Sequence, residues 1–313
     1  MAAVRKEGSV RIGTRGSALA RWQANWVAEQ LRAHHPGLAV ELVEIKTQGD
    51  RDRSSPLAAI GGTGVFTKEI QHVLISGSVE IAVHSLKDLP TQGPAELVLA
   101  AIPPREESTD ALIAPVYRTL ALLTQGARVG TSSLRRKAQL LHARPDLTIE
   151  NLRGNVETRL NQALDGRLDA VVLAEAGLRR LGLEHHVTER LTPPEFLPAV
   201  GQGALGIECR KDDEITRKLL APLNDPATRR AVLAERRTLA ELEGGCMIPL
   251  AAWGRDTGDM LALDVAVFSL DGQERLAAEA SGPQNDPEGL GRKVAGILRD
   301  LGAERLLRPL GRP

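Results

Sequence analysis

At 313 residues the chain has room for two or three domains with cores of their own. Forty basic residues cancel forty acidic ones, and only three Trp, three Phe and one Tyr are present, so neither a global basic field nor an aromatic stacking platform points to nucleic acid or membrane. Two cysteines, Cys209 and Cys246, cannot build a disulfide framework and suit a reducing compartment.

Met1 to Val10 lacks an apolar signal core and no run approaches membrane-spanning length, so a soluble, cytoplasmic protein is expected. Val10-Arg-Ile-Gly13 reads as a short strand and Thr14-Arg-Gly-Ser17 as a turn. Leu19, Trp22, Trp26 and Val27 then mark one apolar face of a helix. Leu38 to Ile45 alternates like a strand. Lys46 to Gly64 loses all periodicity and reads as a long functional loop. A helix follows over Phe66 to Ser76, then the strand Ile81-Ala-Val83, running into His84-Ser-Leu-Lys-Asp88. Pro103-Pro104 and the acidic run to Asp110 read as a crossing between lobes.

The second lobe opens on Val129-Gly-Thr-Ser-Ser-Leu-Arg-Arg-Lys137. A strand ends near Val129, Thr131 or Ser132 is placed to cap a helix, and Leu134, Ala138 and Leu141 recur at helical spacing. Arg135 and Arg136 therefore fall in the first turn. A helix start already favours anions, so two guanidiniums there imply that something negative sits between them. The bland reading is a solvated basic turn. Asn155 is placed to cap the next helix (Val156, Leu160, Leu164), closed by Gly166. Asp169 to Ala174 is a strand, and its following helix carries Arg179 and Arg180. Pro193-Pro194 to Gly206 should be the route back. A helix capped by Asp225 runs to Leu242, with Gly244-Gly245-Cys246 directly after. Strands at Ile248–Trp253, Met260–Phe268 and Glu274–Ala280, with a helix from Pro287 to Leu301, describe a small antiparallel α+β domain.

Ile12-Gly-Thr-Arg-Gly-Ser17 and Val129-Gly-Thr-Ser-Ser133 echo each other: strand, Gly-Thr, small polar residue, helix. Ligands of open α/β sheets gather beyond the carboxyl ends of strands, where Arg15, Lys87, Asp88, Arg135 and Arg136 would all sit. Asp88 beside Lys87 is equally consistent with a simple ion pair. Arg153 and Arg159 flank a helix start in a residue type suited to carboxylates. Arg144 and Arg210 lack such context and read as surface. His34-His35 and His185-His186 lack metal-ligand spacing and read as exposed loop. Cys209, in Ile207-Glu-Cys-Arg210, reads as core. Cys246 is either another small buried group or a thiol presented on its Gly-Gly loop; both readings stand.

Taken together, Gly13-Thr-Arg-Gly-Ser17, His84-Ser-Leu-Lys-Asp88, Gly130-Thr-Ser-Ser-Leu-Arg-Arg136, Leu152-Arg-Gly-Asn-Val-Glu-Thr-Arg159, Leu197-Pro-Ala-Val-Gly-Gln-Gly203 and Leu242-Glu-Gly-Gly-Cys-Met-Ile-Pro249 resemble the porphobilinogen deaminase (hydroxymethylbilane synthase) family. The motifs run in order from about Val10 to the C-terminal helix. The resemblance implies an α/β fold with two periplasmic-binding-protein-like lobes, each a mixed sheet, around a cleft, plus the small C-terminal domain. Its implied boundaries are 1–103 with 204–223 for lobe 1, 104–203 for lobe 2 and 224–313 for the cofactor-attachment domain. It further implies a monomer, while the cancelling charge and scarce aromatics noted above argue against a nucleic-acid or membrane partner.

By the same resemblance Cys246 carries a covalent dipyrromethane cofactor, onto which four porphobilinogens are joined head to tail. Each condensation releases ammonia, and hydrolysis frees the linear tetrapyrrole hydroxymethylbilane. Every ring bears an acetate and a propionate, so cofactor and product are dense polyanions. Asp88 matches the family's catalytic aspartate, whose carboxylate stabilises the cation left on the pyrrole as ammonia departs. Ser85, Lys87, Ser133, Arg135, Arg136 and Arg159 match cofactor-binding positions; Arg15, Ser17, Arg153 and Arg180 match positions for the incoming ring and growing chain. No metal is implied. Many relatives carry Gly-Gly-Lys-Gly on the long loop, where this chain has Thr63; Lys46, Arg51, Arg53 and Lys68 are the candidate replacements. The rival reading is a non-catalytic two-lobed binder of a small polycarboxylate, which needs neither Cys246 nor a third domain.

Overall fold

The computed structural model describes residues 8–47, 67–242 and 248–307. They fall into two compact units, Met1–Arg105 with Ala204–Arg229 and Glu106–Gly203 with Arg230–Pro313. The first unit starts with β1 (Ser9–Thr14), α1 (Ala18–His34), β2 (Ala39–Glu44), α2 (Lys68–Ile75), β3 (Ile81–Ser85), a single 3-10 turn (Leu86–Asp88) and β4 (Leu97–Ala101). Ser17 caps α1 by accepting from Ala20 N at 3.3 Å. The buried stripe of α1 is Gln23, Ala24, Val27, Ala28 and Leu31, whereas Trp22 is 36% exposed. The expected apolar face is thus rotated off Trp22, because Gln23 turns inward to bond Ser85 on β3.

After the crossing come β5 (Asp110–Ile113), β6 (Arg128–Gly130), α3 (Leu134–Ala143), β7 (Thr148–Glu150), α4 (Val156–Leu164), β8 (Ala170–Ala174), α5 (Glu175–Arg180) and β9 (Glu189–Leu191). The chain then returns to the first unit as β10 (Leu205–Arg210) and α6 (Glu214–Leu220). β4 and β5 fall where no strand is expected above, although each is a short apolar run (Leu97 to Ala101 and Ala111 to Ile113); β5 begins where the acidic run reads only as a crossing. Asn155 caps α4 as its sequence indicates, accepting from Thr158 N at 2.8 Å. The cap of α3 is Ser133, accepting from Arg136 N at 3.4 Å, in place of the expected Thr131 or Ser132. Thr131 is buried and its hydroxyl accepts from Ser133 N instead, shaping the turn that leads into the cap.

The two main sheets repeat one topology. Their orders are β2-β1-β3-β10-β4 and β7-β6-β8-β5-β9. In each, the first three strands are parallel and the last two joins are antiparallel. The reversed strand is in both cases the one entered straight after a crossing, β10 or β5. The echoed glycines occupy equivalent places in β1 and β6, for the same reason: a Cβ on Gly13 would lie 2.9 Å from Ile45 Cδ1, and one on Gly130 would lie 2.6 Å from Leu152 Cδ1 and Leu168 Cδ1. What glycine supplies here is room for the neighbouring element.

Asp225 caps α7 (Pro226–Glu241) through Thr228 N. The third sheet, β11 (Leu250–Asp256), β12 (Met260–Phe268) and β13 (Arg275–Pro283), is an antiparallel meander belonging to the second unit. Its inward residues Leu261, Leu263, Val265 and Val267 pack on Leu290, Val294 and Leu298 of α8 (Pro287–Asp300), with α9 (Ala303–Leu307) beyond. This is the mixed α/β plus antiparallel α+β architecture expected.

The meander also grips α3. Ala138 packs with Ala251, Ala266 and Phe268, and the His142 and Phe268 rings meet edge to face at 5.8 Å. His142 Nδ1 lies 2.9 Å from Gly272 O. Gly272 has φ +74°, and a Cβ there would come 2.5 Å from His142 N and 2.6 Å from Ala138 O. Gly272→Ala is therefore expected to cost about 1–3 kcal/mol from the backbone conformation alone, plus the overlap with α3. Urea denaturation checks it: a variant with the parent midpoint would mean that this turn does not clamp α3.

Candidate active site

In the first unit the ends of β1 and β3 meet the start of α1. Arg15, Ser17, Gln23, His84, Ser85 and Asp88 line one concavity there. Lys87 is not among the residues lining it, although its neighbours on both sides, Leu86 and Asp88, belong to the same turn. Asp88 is half-buried and, among the described residues, takes no hydrogen bond or ion pair, which removes the simple Lys87 pair as its explanation. Gln23 Nε2 donates to Ser85 Oγ at 2.9 Å and so fixes the hydroxyl beside that carboxylate. Behind this wall His84 Nε2 lies 3.0 Å from Glu208 Oε2, and the Gln71 amide donates to both Glu208 oxygens at 3.1 and 3.2 Å. All three side chains are buried.

In the second unit the negative group between the two arginines belongs to the chain itself. Asp110, first residue of β5, is 1% exposed; Arg135 and Arg136, on the first turn of α3, are 3% and 6% exposed. Arg135 Nη1 lies 2.6 Å from Asp110 Oδ2, and Arg136 Nε and Nη2 donate to Oδ1 at 2.9 and 2.7 Å. Arg135 also donates to Leu197 O and stacks over Phe196, while Arg136 donates to Val172 O. The solvated basic turn is excluded by this burial. Burial alone would raise the Asp110 pKa, but the two guanidiniums prevail and hold it well below the usual carboxylate range. Burial pulls Arg135 down, partly offset by Asp110.

The remaining predicted residues differ in how far they are committed. Ser133 is taken up as the α3 cap. Arg180 is buried and donates to Gly203 O at 2.6 Å; burial lowers its pKa to about 10, with Glu106 acting the other way, so it stays charged at neutral pH. Arg159 is half-buried, with Nε on Gly154 O at 2.9 Å. Among the described residues the buried Nε and Nη2 of Arg153 have no hydrogen-bond partner, and neither does the buried Nε of Arg135. Buried guanidinium N–H groups left unpaired are costly, and they mark where an anion is wanted.

Cys246 and Thr63 lie outside the described residues, as do Arg51 and Arg53; Lys46 and Lys68 are exposed. Cys209 is core, as expected, and burial pushes its thiol up to about 11. Arg144 and Arg210 are not idle surface groups: Arg144 ties down Leu120 O, Ala121 O and Leu123 O, and Arg210 bonds Leu74 O and Val79 O. Asp110 and Gln23 carry no signal in the sequence, and Gln202 lies in the Leu197–Gly203 motif with no role indicated for it there. Among the described residues no cluster of His, Cys, Asp and Glu is placed to hold a metal, and no helix is long and apolar enough to cross a membrane.

Residues 10–218 match the family described as porphobilinogen deaminase, dipyromethane cofactor binding domain, and residues 229–300 match porphobilinogen deaminase, C-terminal domain. The porphobilinogen deaminase of Syntrophotalea carbinolica is 50% identical over 302 residues, covering 96% of each chain. That of Geobacter metallireducens is 51% identical over 298 residues, covering 95% of this chain and 93% of its own. Matches of this extent reach across both units, and on them the chain belongs to the porphobilinogen deaminase family.

Proposed function

We propose that this chain condenses four porphobilinogens head to tail on a dipyrromethane primer attached at Cys246, releasing ammonia at each step and finally hydroxymethylbilane. The observation that carries the reading is the concavity where an unpaired Asp88 carboxylate lies with Arg15, Ser17 and Ser85. The relatives' shared name favours an enzyme over a non-catalytic polycarboxylate binder. The residues present also fit the primer, whose two rings bear four carboxylates: among the described residues the buried Arg135 Nε has no hydrogen-bond partner and is a donor in want of an anion. When bound, the primer supplies the nucleophilic terminal pyrrole and the anchor for the growing chain.

The chain's own groups do the rest. Asp88 stabilises positive charge on the pyrrole nitrogen as ammonia leaves and takes part in moving the proton lost on coupling. Arg15 and Ser17 hold the substrate's acid side chains, and Gln23 keeps the Ser85 hydroxyl turned to the same space. Arg153 and Arg180 are assigned to the incoming ring and the elongating chain. Ser85, Lys87, Ser133, Arg135, Arg136 and Arg159 are assigned to the primer. Residues 1–103 with 204–223 make lobe 1, 104–203 lobe 2 and 224–313 the attachment domain. The protein is a cytoplasmic monomer acting on a small molecule; cancelling charge and scarce aromatics support the absence of a nucleic-acid partner.

Intact mass tests it. The purified chain should be heavier than its sequence by two linked pyrrole units, and Cys246→Ala should have its bare sequence mass and no activity. A parent chain at bare sequence mass, still inactive after incubation with porphobilinogen, would overturn the reading.

A further inference from the structure

The Asp110 carboxylate has no part in the reaction set out above, yet it joins both arginines of the second unit's cluster. Besides its two arginine partners, it accepts from Gln202 Nε2 at 2.8 Å, and the same amide donates to Ser108 O at 2.8 Å. Gln202 thus ties the carboxylate to the backbone just before β5, so it cannot swing away. Two guanidiniums and one carboxylate leave the cluster with one net positive charge. A buried ion cluster is weak evidence for stability, since apolar side chains of the same volume often serve as well. Its presence calls for a different explanation.

The two arginines are unequally used. Arg136 spends Nε and Nη2 on Asp110, Nη1 on Val172 O, and also reaches Gln202 Oε1 at 3.5 Å. Arg135 meets Asp110 and Leu197 O through Nη1 alone, leaving its buried Nε unpartnered. One guanidinium is a fixed brace; the other is held at one corner, with its buried Nε still unpartnered among the described residues. We propose that Asp110 is a positioning residue, which locks Arg136 as the brace and aims Arg135 so that the cluster receives a single ligand carboxylate. This rests on the reading above only in taking that carboxylate to belong to the primer. Without Asp110 the two buried cations repel, and each is directed only by its carbonyl, Leu197 O for Arg135 and Val172 O for Arg136.

The test uses full-length parent, Asp110→Asn and Asp110→Ala, with intact mass read before and after incubation with porphobilinogen. Asp110→Asn keeps the shape and removes the charge; its loaded fraction should fall about tenfold or more, with an unchanged far-ultraviolet circular dichroism spectrum. Asp110→Ala leaves space for a small carboxylate. Its loading should recover in acetate relative to chloride at the same ionic strength, a response that mere loss of packing would not give. Parent-like loading of Asp110→Asn, or no gain from acetate over chloride, would overturn the proposal. If Asp110→Asn does not fold, the acetate comparison alone decides. A loaded parent with an equally loaded Asp110→Asn sinks this inference only, whereas an unloaded parent sinks the functional reading and this inference with it.

Discussion

Arg135→His should yield a chain at its bare sequence mass, with no covalent primer and no turnover. The imidazole is too short to span from α3 to both Asp110 and Leu197 O, which Arg135 Nη1 reaches at 2.6 Å each. Breaking one side of a buried ion pair costs about 3–5 kcal/mol, and because Asp110 keeps Arg136 the lower end applies here. Stability therefore falls as well, and the fold has to be checked before the missing mass is interpreted. The expected pattern is a urea midpoint lowered by an amount equivalent to about 3 kcal/mol, a folded baseline at zero denaturant, and no added mass. The open Nε edge of Arg135 goes with the guanidinium, so the primer loses its partner even where the chain stays folded. Normal covalent mass in the folded variant would remove Arg135 from primer binding.

That pair also shows where the sequence stops being informative. Two arginines at a helix start imply a negative partner, because the helix dipole and its free N–H groups already favour anions. The identity of the partner is not implied. Asp110 is 25 and 26 residues away from the arginines, on a four-residue strand whose place beside β8 is set by the crossing. An acidic run followed by a short apolar stretch reads as a linker until that sheet exists. Local chemistry fared better. Asn155 and Asp225 announce their helices because a capping side chain acts within three residues. Three successive hydroxyls at Thr131 to Ser133 defeat the same logic, since only the backbone geometry decides which one caps. Trp22 and Gln23 fail for another reason: periodicity assigns faces by hydropathy, and a buried amide with a hydroxyl partner on β3 is invisible to it. The Gly-Thr echo points to the matched topology of the two main sheets, since a strand end packed closely by Leu and Ile side chains favours a glycine that a sequence can display.

Asp88→Ala should separate catalysis from folding more cleanly than any arginine change. Asp88 makes no hydrogen bond or ion pair among the described residues, so its truncation leaves no buried donor unsatisfied. A half-buried group of that kind contributes little to stability, and the urea midpoint should move by an amount equivalent to less than about 0.5 kcal/mol. Turnover should nonetheless fall by about 10²–10⁴, the range spanned when a positioned acid or base or a preorganised charge is removed. The primer's assigned arginines are elsewhere, so the added mass is expected to remain. Asp88→Asn refines the result: it keeps the shape and a hydrogen-bond acceptor but not the charge, so activity as low as in Asp88→Ala points to charge stabilisation. Partial activity in Asp88→Asn would instead assign part of the effect to positioning of the pyrrole N–H. A near-normal rate in Asp88→Ala would take Asp88 out of the mechanism, and Arg15 and Ser85 would then line a concavity with no catalytic carboxylate.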